Sequence, residues 1–291
     1  MAPRTGRSIL GWRGGSELIA AALALSLGVG GAAMAGPPER VVSINLCTDQ
    51  FALLLAAPGQ LVSVTHVAAD PRVSAMAAAA EGLQLNRAYA EEVHALAPDL
   101  VLAGPWTSGY TVALLRRLGI AVAVIPDVRG LDDVPEALRA TGAALGRDAA
   151  ATAMADTYAA DLAALRTAAD VGRQPRAAIH NPNNYTSGAG SMADQILTLA
   201  GLANVAAEVG IEGGGWLALE SMVMLAPDLV ISAEPYPGAS RAEEVLRHPA
   251  AQALAGPGRR AALADSDWVC GTPHVLRAAA RLRDATAMGA P

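Results

Sequence analysis

The 291-residue chain contains no lysine: all 21 of its basic residues are arginine, set against 27 acidic residues for a net charge of −6. An acidic chain of this kind repels phosphate backbones, which argues against nucleic acid as a partner. Aromatics are scarce, with four Trp, five Tyr and one Phe, and cysteine is limited to Cys47 and Cys270. Enzyme signatures are missing as well. There is no G-x-S-x-G elbow, no H-E-x-x-H and no P-loop, and "SGAG" at 187–190 supplies only a G-x-G fragment. Nothing pairs a nucleophile with a base, and no C-x-x-C or H-x-x-x-H spacing marks a metal centre.

What is present starts with Arg4, Arg7 and Arg13, an apolar stretch from Leu18 to Val29, and Ala33-Met34-Ala35. That order describes a cleavable secretory signal whose apolar core is too short for a comfortable membrane span. The expected exported chain begins near Gly36, is soluble, and carries 18 basic and 26 acidic residues, a net charge of −8. Outside the cytoplasm a lone pair of cysteines most often forms a disulfide, so a Cys47–Cys270 bond is expected. Free thiols facing a ligand as soft donors are the alternative.

Six residues, "LAPDLV", occur at Leu96–Val101 and again at Leu225–Val230. Around them runs a repeated order of short apolar strands and amphipathic helices. The first half reads "RVVSI", "LVSVT", "DLVLA" and "IAVAVI" as strands; the second reads "RAAIH", "DLVIS" and "RAALAD". Apolar strands alternating with helices imply parallel sheets covered on both faces. The Asp-Gln of "TDQFALLLA" recurs in "ADQILTLAG", and Glu91, seven residues before Pro98, recurs as Glu220, seven before Pro227. Two α/β lobes of related design are therefore expected, at 36–145 and 173–291. Between them the Ala-rich segment 146–172 reads as one long helix of roughly 35 Å acting as a strut.

In open parallel sheets ligands bind beyond the carboxyl ends of the strands. The residues that follow the strands include Asn45, Cys47, His66, Trp106 and Tyr110 in the first half. In the second they include His180, Asn183, Asn184, Tyr185, Glu234, Tyr236, Trp268, Cys270 and His274, with Trp216 in the loop "EGGGW". Six of the nine aromatics beyond the signal fall in these loops, where core packing would not have put them. A groove with several aromatic walls suits a large, flat, partly apolar ligand. His66, His180 and His274, with the two cysteines, form a sufficient soft-metal ligand set if they converge, which keeps open a receptor for a bare transition-metal ion or an exported metal-dependent enzyme or chelatase. His94 and His248 read as ordinary helix-associated residues.

The order signal, "RVVSINLCTDQFALLLA", "YAEEVHALAPDLVLA", long helix, "NNYTSGAGSMADQILTLAG", "LALESMVMLAPDLVIS", "DSDW" and terminal helix resembles the periplasmic substrate-binding proteins of ABC importers for vitamin B12, ferric siderophores and haem. The "YTSG" and "SDW" segments are most similar to the cobalamin-binding members. The resemblance implies two Rossmann-like lobes with parallel sheets, joined by a single long α-helix, with a metal chelate (corrinoid, ferric siderophore or haem) held in the cleft between them. It implies a monomeric periplasmic receptor with no cofactor and no catalysis. It also implies that Glu91 and Glu220 dock on arginines of an inner-membrane permease dimer. Ligand contacts carried over by position are His66, Trp106, Tyr185 and Trp216, with Tyr236, Trp268, Cys47 and Cys270 added from the loops. The Arg expected after "SDW" is absent; Cys270 and Gly271 stand near its place.

Overall fold

The computed structural model describes residues 36–169, 174–232, 238 and 240–289. The first half supplies β1 (Val41–Ser43), β2 (Leu61–Thr65), β3 (Gln84–Asn86), β4 (Leu100–Ala103) and β5 (Ala121–Val124), which form a parallel sheet in the order β3-β2-β1-β4-β5. The second half supplies β6 (Arg176–Ile179), β7 (Tyr185–Ser187), β8 (Ala203–Asn204), β9 (Gly214–Trp216), β10 (Leu229–Ser232) and β11 (Arg260–Ala262). Four of these form a second parallel sheet, β11-β10-β6-β8, whereas β7 and β9 make a separate antiparallel ribbon. The first half carries helices α1 (Leu46–Leu55), α2 (Ala90–Ala95), α3 (Gly109–Arg117) and α4 (Val134–Leu145). After α5 (Asp148–Ala169) come α6 (Met192–Leu199), α7 (Val205–Glu208), α8 (Leu219–Leu225), α9 (Pro249–Leu254) and α10 (Val275–Gly289).

Strand side chains alternate between two faces, and each face has its own core. Val41, Leu100 and Leu102 belong to a main cluster, while Val42, Val101 and Ala103 belong to a second one under α2 and α3. In the other lobe Ala177 and Ile179 join the same main cluster, and Ala178 packs with Leu219 and Met222. Burial on both faces is why these strands read as unbroken apolar runs. The main cluster draws on α1, α4, α5, α6 and α10, so the two lobes share one helical layer.

The duplicated hexapeptide has a specific structural task. In each copy the helix stops at an alanine in the left-handed region, Ala97 (φ 46°) or Ala226 (φ 45°), and the following proline prevents further helix. The next aspartate then accepts hydrogen bonds from the backbone at the start of the central strand. Asp99 accepts from the N–H groups of Glu39 (2.7 Å) and Arg40 (3.0 Å), and Asp228 from that of Arg176 (2.9 Å). The same two arginines cap the helix ends: Arg40 donates to the carbonyls of Leu96 (2.9 Å) and Ala97, and Arg176 to that of Leu225 (2.6 Å). One Arg–Asp latch thus fixes helix, loop and two strands together in each lobe.

The repeated Asp-Gln pair is a second such device. Asp49 on α1 accepts from the backbone N–H (3.1 Å) and the hydroxyl of Thr65 at the end of β2. Asp194 on α6 accepts from the side chain of Asn204 on β8 (3.0 Å). Both pin the first helix of a lobe to the neighbouring strand. The expected long helix runs from Asp148, because Gly146 is the left-handed cap of α4 (φ 67°). At 22 residues it spans roughly 33 Å. It is no free-standing strut: Ala151, Ala155, Tyr158 and Leu162 are buried in the shared core.

Candidate functional site

In the first sheet, successive connections place β2 and β3 on one side of β1 and β4 and β5 on the other, so the strand order reverses between β1 and β4. The second sheet reverses between β6 and β10 in the same way. A crevice opens beyond the carboxyl ends of strands at such a point. Contacts between the two carboxyl ends show that they face each other. Cys47, at the start of α1 after β1, is disulfide-bonded to Cys270, after β11, with Cα atoms 5.2 Å apart. The Ser266 N–H donates to the Arg72 carbonyl (2.9 Å), and His274 Nε2 lies 2.9 Å from Met76 Sδ. Gly271 packs so closely on Val128 that a Cβ there would collide with it.

Beside the disulfide lies a cavity of about 160 Å³ lined by Asn45, Phe51, Gly104, Trp106, Asp127 and Val128 among others, and closed from the second lobe by Val269 and Gly271. Trp106 is 79% exposed; its indole N–H donates to Asp127 Oδ1 (3.3 Å), which sets the ring's direction at the cavity mouth. Tyr110, 91% exposed, follows at the start of α3. Burying such rings on a ligand gives large contact area at low entropy cost.

The second lobe presents the ribbon of β7 and β9, anchored beyond β6 by the bond from the Asn181 N–H to the Tyr185 carbonyl (3.0 Å). Tyr185 and Trp216 are directly opposite in this ribbon and pack edge to face, with ring centroids 6.4 Å apart and planes at 85°. Trp216 remains 75% exposed and Tyr185 42%. The glycines of "EGGGW" make this possible, because a Cβ on Gly214 would overlap the Tyr185 hydroxyl. The approach to the ribbon is unusual, with Asn183 and Asn184 both in the left-handed region (φ 58° each), a conformation that asparagine tolerates better than most residues.

The other residues expected at the cleft distribute differently. Neither cysteine is a free thiol, so soft axial donation by Cys47 or Cys270 is corrected: both sulfurs are bonded to each other. His66, His180 and His274 do not assemble a metal centre; among the described residues no three His, Cys, Asp or Glu side chains come together to hold an ion. His66 is exposed at the turn after β2. His180 is buried and bonded to Asn184 Oδ1 (3.2 Å), and burial depresses its basicity despite that bond. His274 faces Met76, and burial, with Arg277 nearby, depresses it too. Trp268 is half-buried against the main core. Tyr236 and Glu234 lie outside the described residues, as does the 1–35 signal segment. Asp127 and Val128 went unread, although the rule that picked out the loops after the other strands applies equally to the loop after β5.

Glu91 and Glu220 are both exposed in the first turns of α2 and α8, and no ion pair or hydrogen bond engages either carboxylate among the described residues. Glu92, by contrast, is engaged: it accepts from the Arg87 N–H (2.7 Å) and pairs with its guanidinium.

A sequence profile described as "Periplasmic binding protein" matches residues 41–256, which takes in both sheets except the last strand. The chain belongs to the periplasmic binding protein family. Family membership agrees with the architecture just described, two parallel α/β lobes facing each other across a cleft. A cobalamin-binding protein of Halobacterium salinarum (strain ATCC 29341 / DSM 671 / R1) is 30% identical over 199 residues, covering 67% of this chain and 54% of the relative, so the chain spans about half the length of the curated relative it matches. Among solved structures, a periplasmic haem-binding protein from Roseiflexus sp. RS-1 shares the fold with a TM-score of 0.71 at 24% identity, over 85% of this chain and 99% of that one. The periplasmic vitamin B12 binding protein of Vibrio cholerae superposes with a TM-score of 0.66 at 19% identity, over 87% and 98%. Among the described residues, no helix is long and apolar enough to cross a membrane.

Proposed function

We propose that this protein is a periplasmic receptor that captures a metal chelate between its lobes and hands it, without chemistry, to an inner-membrane ABC permease dimer. A corrinoid is the first candidate, then a ferric siderophore, then haem. The observation that carries this reading is the placement of Trp106 and Tyr110 beyond one sheet and the Tyr185–Trp216 pair beyond the other, all solvent-facing at carboxyl strand ends. Such rings, held by Asp127 and by a glycine ribbon instead of by a core, offer flat walls to a flat ligand. The cobalamin-binding relative supports the order of candidates.

The test is a tryptophan-fluorescence titration with cyanocobalamin, haem, ferric siderophores and free metal ions. Saturable one-to-one quenching by one chelate is expected; response to bare ions alone overturns the reading. For delivery, the repeated placement of Glu91 and Glu220 presents equal charges from pseudo-symmetric lobes, which suits a symmetric partner. Reversing both to Arg should abolish uptake in cells and leave ligand affinity within about twofold, since charges exposed to solvent are well screened. Weakened ligand binding by that variant would remove the docking assignment.

A further inference from the structure

The cavity beside the disulfide is too small for the body of any chelate. At about 160 Å³ it holds roughly five water-sized groups, against several hundred Å³ for a site that encloses a whole drug-sized ligand. It opens beyond the paired ends of β1 and β4, where the connections that follow them run to opposite sides. Val269 and Gly271 close it from the second lobe, so only an arm projecting from a cleft-bound ligand would enter it. Its chemistry is uneven. Phe51, Ile125, Val128 and two prolines make apolar walls. Of the three polar side chains that interrupt them, Thr48 spends its hydroxyl on the Asn45 carbonyl (3.0 Å) and on Ser43 (2.8 Å), which leaves Asn45 and Asp127.

Those two groups differ in what remains free. Asn45 Oδ1 is occupied as the cap of α1, accepting from the N–H groups of Cys47 (3.0 Å) and Thr48 (3.4 Å). Its Nδ2 lies against Gly104, another lining residue, and donates to no partner among the described residues. Asp127 accepts one long bond on each oxygen, 3.3 Å from Trp106 Nε1 and 3.3 Å from Arg129 Nε, which leaves acceptor capacity on both. One unused donor and one carboxylate acceptor in an apolar cavity are the complement of a primary carboxamide: its oxygen accepts from Asn45 and its NH₂ donates to Asp127.

We infer that this cavity is an arm subsite that selects chelates bearing a neutral carboxamide side chain and rejects those bearing a carboxylate there. This rests on the chelate-receptor reading and narrows it toward corrinoids, whose periphery carries amides, and away from haem, whose periphery carries carboxylates. The positive end of α1 also points here and favours an anion in principle. Its first free N–H groups are, however, already satisfied by Asn45. Arg129, the nearby cation, is exposed and is not part of the lining. A carboxylate arm would therefore meet Asp127 at short range with no cation inside the cavity to compensate.

The experiment measures affinities of the purified protein for cyanocobalamin, for the separated monocarboxylic acids made by hydrolysing one of its propionamides, and for haem. At least one acid isomer should bind about tenfold or more weakly than the parent amide, the loss expected when an unpaired charge enters a partly buried site. Asp127→Asn, which removes the negative charge and keeps one oxygen acceptor, should narrow that gap from both sides: the acid isomer gains affinity, and cyanocobalamin loses about three- to tenfold as its amide trades a charged acceptor for a neutral one. Asn45→Ser, which keeps a good helix cap, should cost the amide about three- to tenfold, the range of one neutral hydrogen bond. Equal binding of the amide and every acid isomer, or a preference for haem, overturns the subsite and leaves the receptor standing. If no chelate binds saturably, the receptor reading itself fails and the subsite falls with it.

Discussion

Asp49 is a fully buried acid whose proton affinity is raised, and replacing it by Asn isolates its effect. Its carboxylate is buried on α1, one turn from the helix cap beside the cleft, and its Oδ1 has no hydrogen-bond partner among the described residues. Burial raises its pKa from 3.8 to about 6, against the partial opposition of the nearby Ser43 hydroxyl and the two Thr65 bonds. A raised acid pKa means that the folded state holds the proton more tightly than the unfolded chain. The associated stability is fully present below about pH 4, is lost as pH rises through about 6, and stays lost above that. Two units correspond to about 3 kcal/mol. An Asn amide is neutral throughout, keeps an oxygen for the Thr65 N–H, and offers its NH₂ to the hydroxyls nearby. The variant should therefore match the natural protein near pH 4 and exceed it by up to about 3 kcal/mol near pH 8. Urea unfolding of both proteins at pH 4.5, 6 and 8 measures this directly. A variant that is destabilised equally at every pH would show that Asp49 is ionised and satisfied when folded, and the argument from burial would be wrong.

The remaining predictions use other parts of the scaffold. The Cys47–Cys270 bond closes a loop of 223 residues, so Cys47→Ser with Cys270→Ser should lower stability by about 2–5 kcal/mol, measured by thermal unfolding against the oxidised protein; no difference would mean that the bond does not form in solution. Gly214→Ala should push Tyr185 off the ribbon and weaken chelate binding by about 1–3 kcal/mol at nearly unchanged stability, whereas intact binding would take Tyr185 out of the site. Asp99→Ala and Asp228→Ala each remove the acceptor of exposed or part-buried backbone N–H groups at a strand start, and denaturant unfolding should show a loss of about 0.5–1.5 kcal/mol for each.

Much of the fold was legible because local pattern and global fold agree. "LVSVT" became β2 residue for residue, and the doubly covered sheets followed from strands apolar on both faces, as in Val41-Val42 and Leu100-Val101-Leu102-Ala103. The short strands β3, β7, β8 and β9 escaped notice, since "QLN", "YTS", "AN" and "GGW" carry no periodicity to read. The aromatic loops were visible from composition alone: with so few rings in the chain, their concentration after strands was informative. The edge-to-face meeting of Tyr185 and Trp216 was not, because it depends on the register of an antiparallel ribbon 31 residues apart in sequence. The histidines show the opposite failure. Their positions at strand ends suggested convergence, but neighbouring side chains, Asn184 and Met76, occupy two of them.

By itself the sequence determined the duplicated plan, which the recurrence of "LAPDLV" and of the Asp-Gln pair displays, because the helix stop at alanine and proline acts within a few residues. The Arg–Asp latch behind the repeat joins residues 52 to 60 apart and belongs to the tertiary structure. The sequence also determined which loops carry the aromatics. Only the tertiary structure decided what those loops enclose: the bond between two cysteines 223 residues apart, the Asp127 carboxylate under Trp106, and the donor left free on Asn45 once its oxygen caps α1. The physical reason is that a hydrogen bond or a cavity wall is fixed by packing among segments distant in the chain, whereas strand, turn and cap preferences act within a few residues of where they are written.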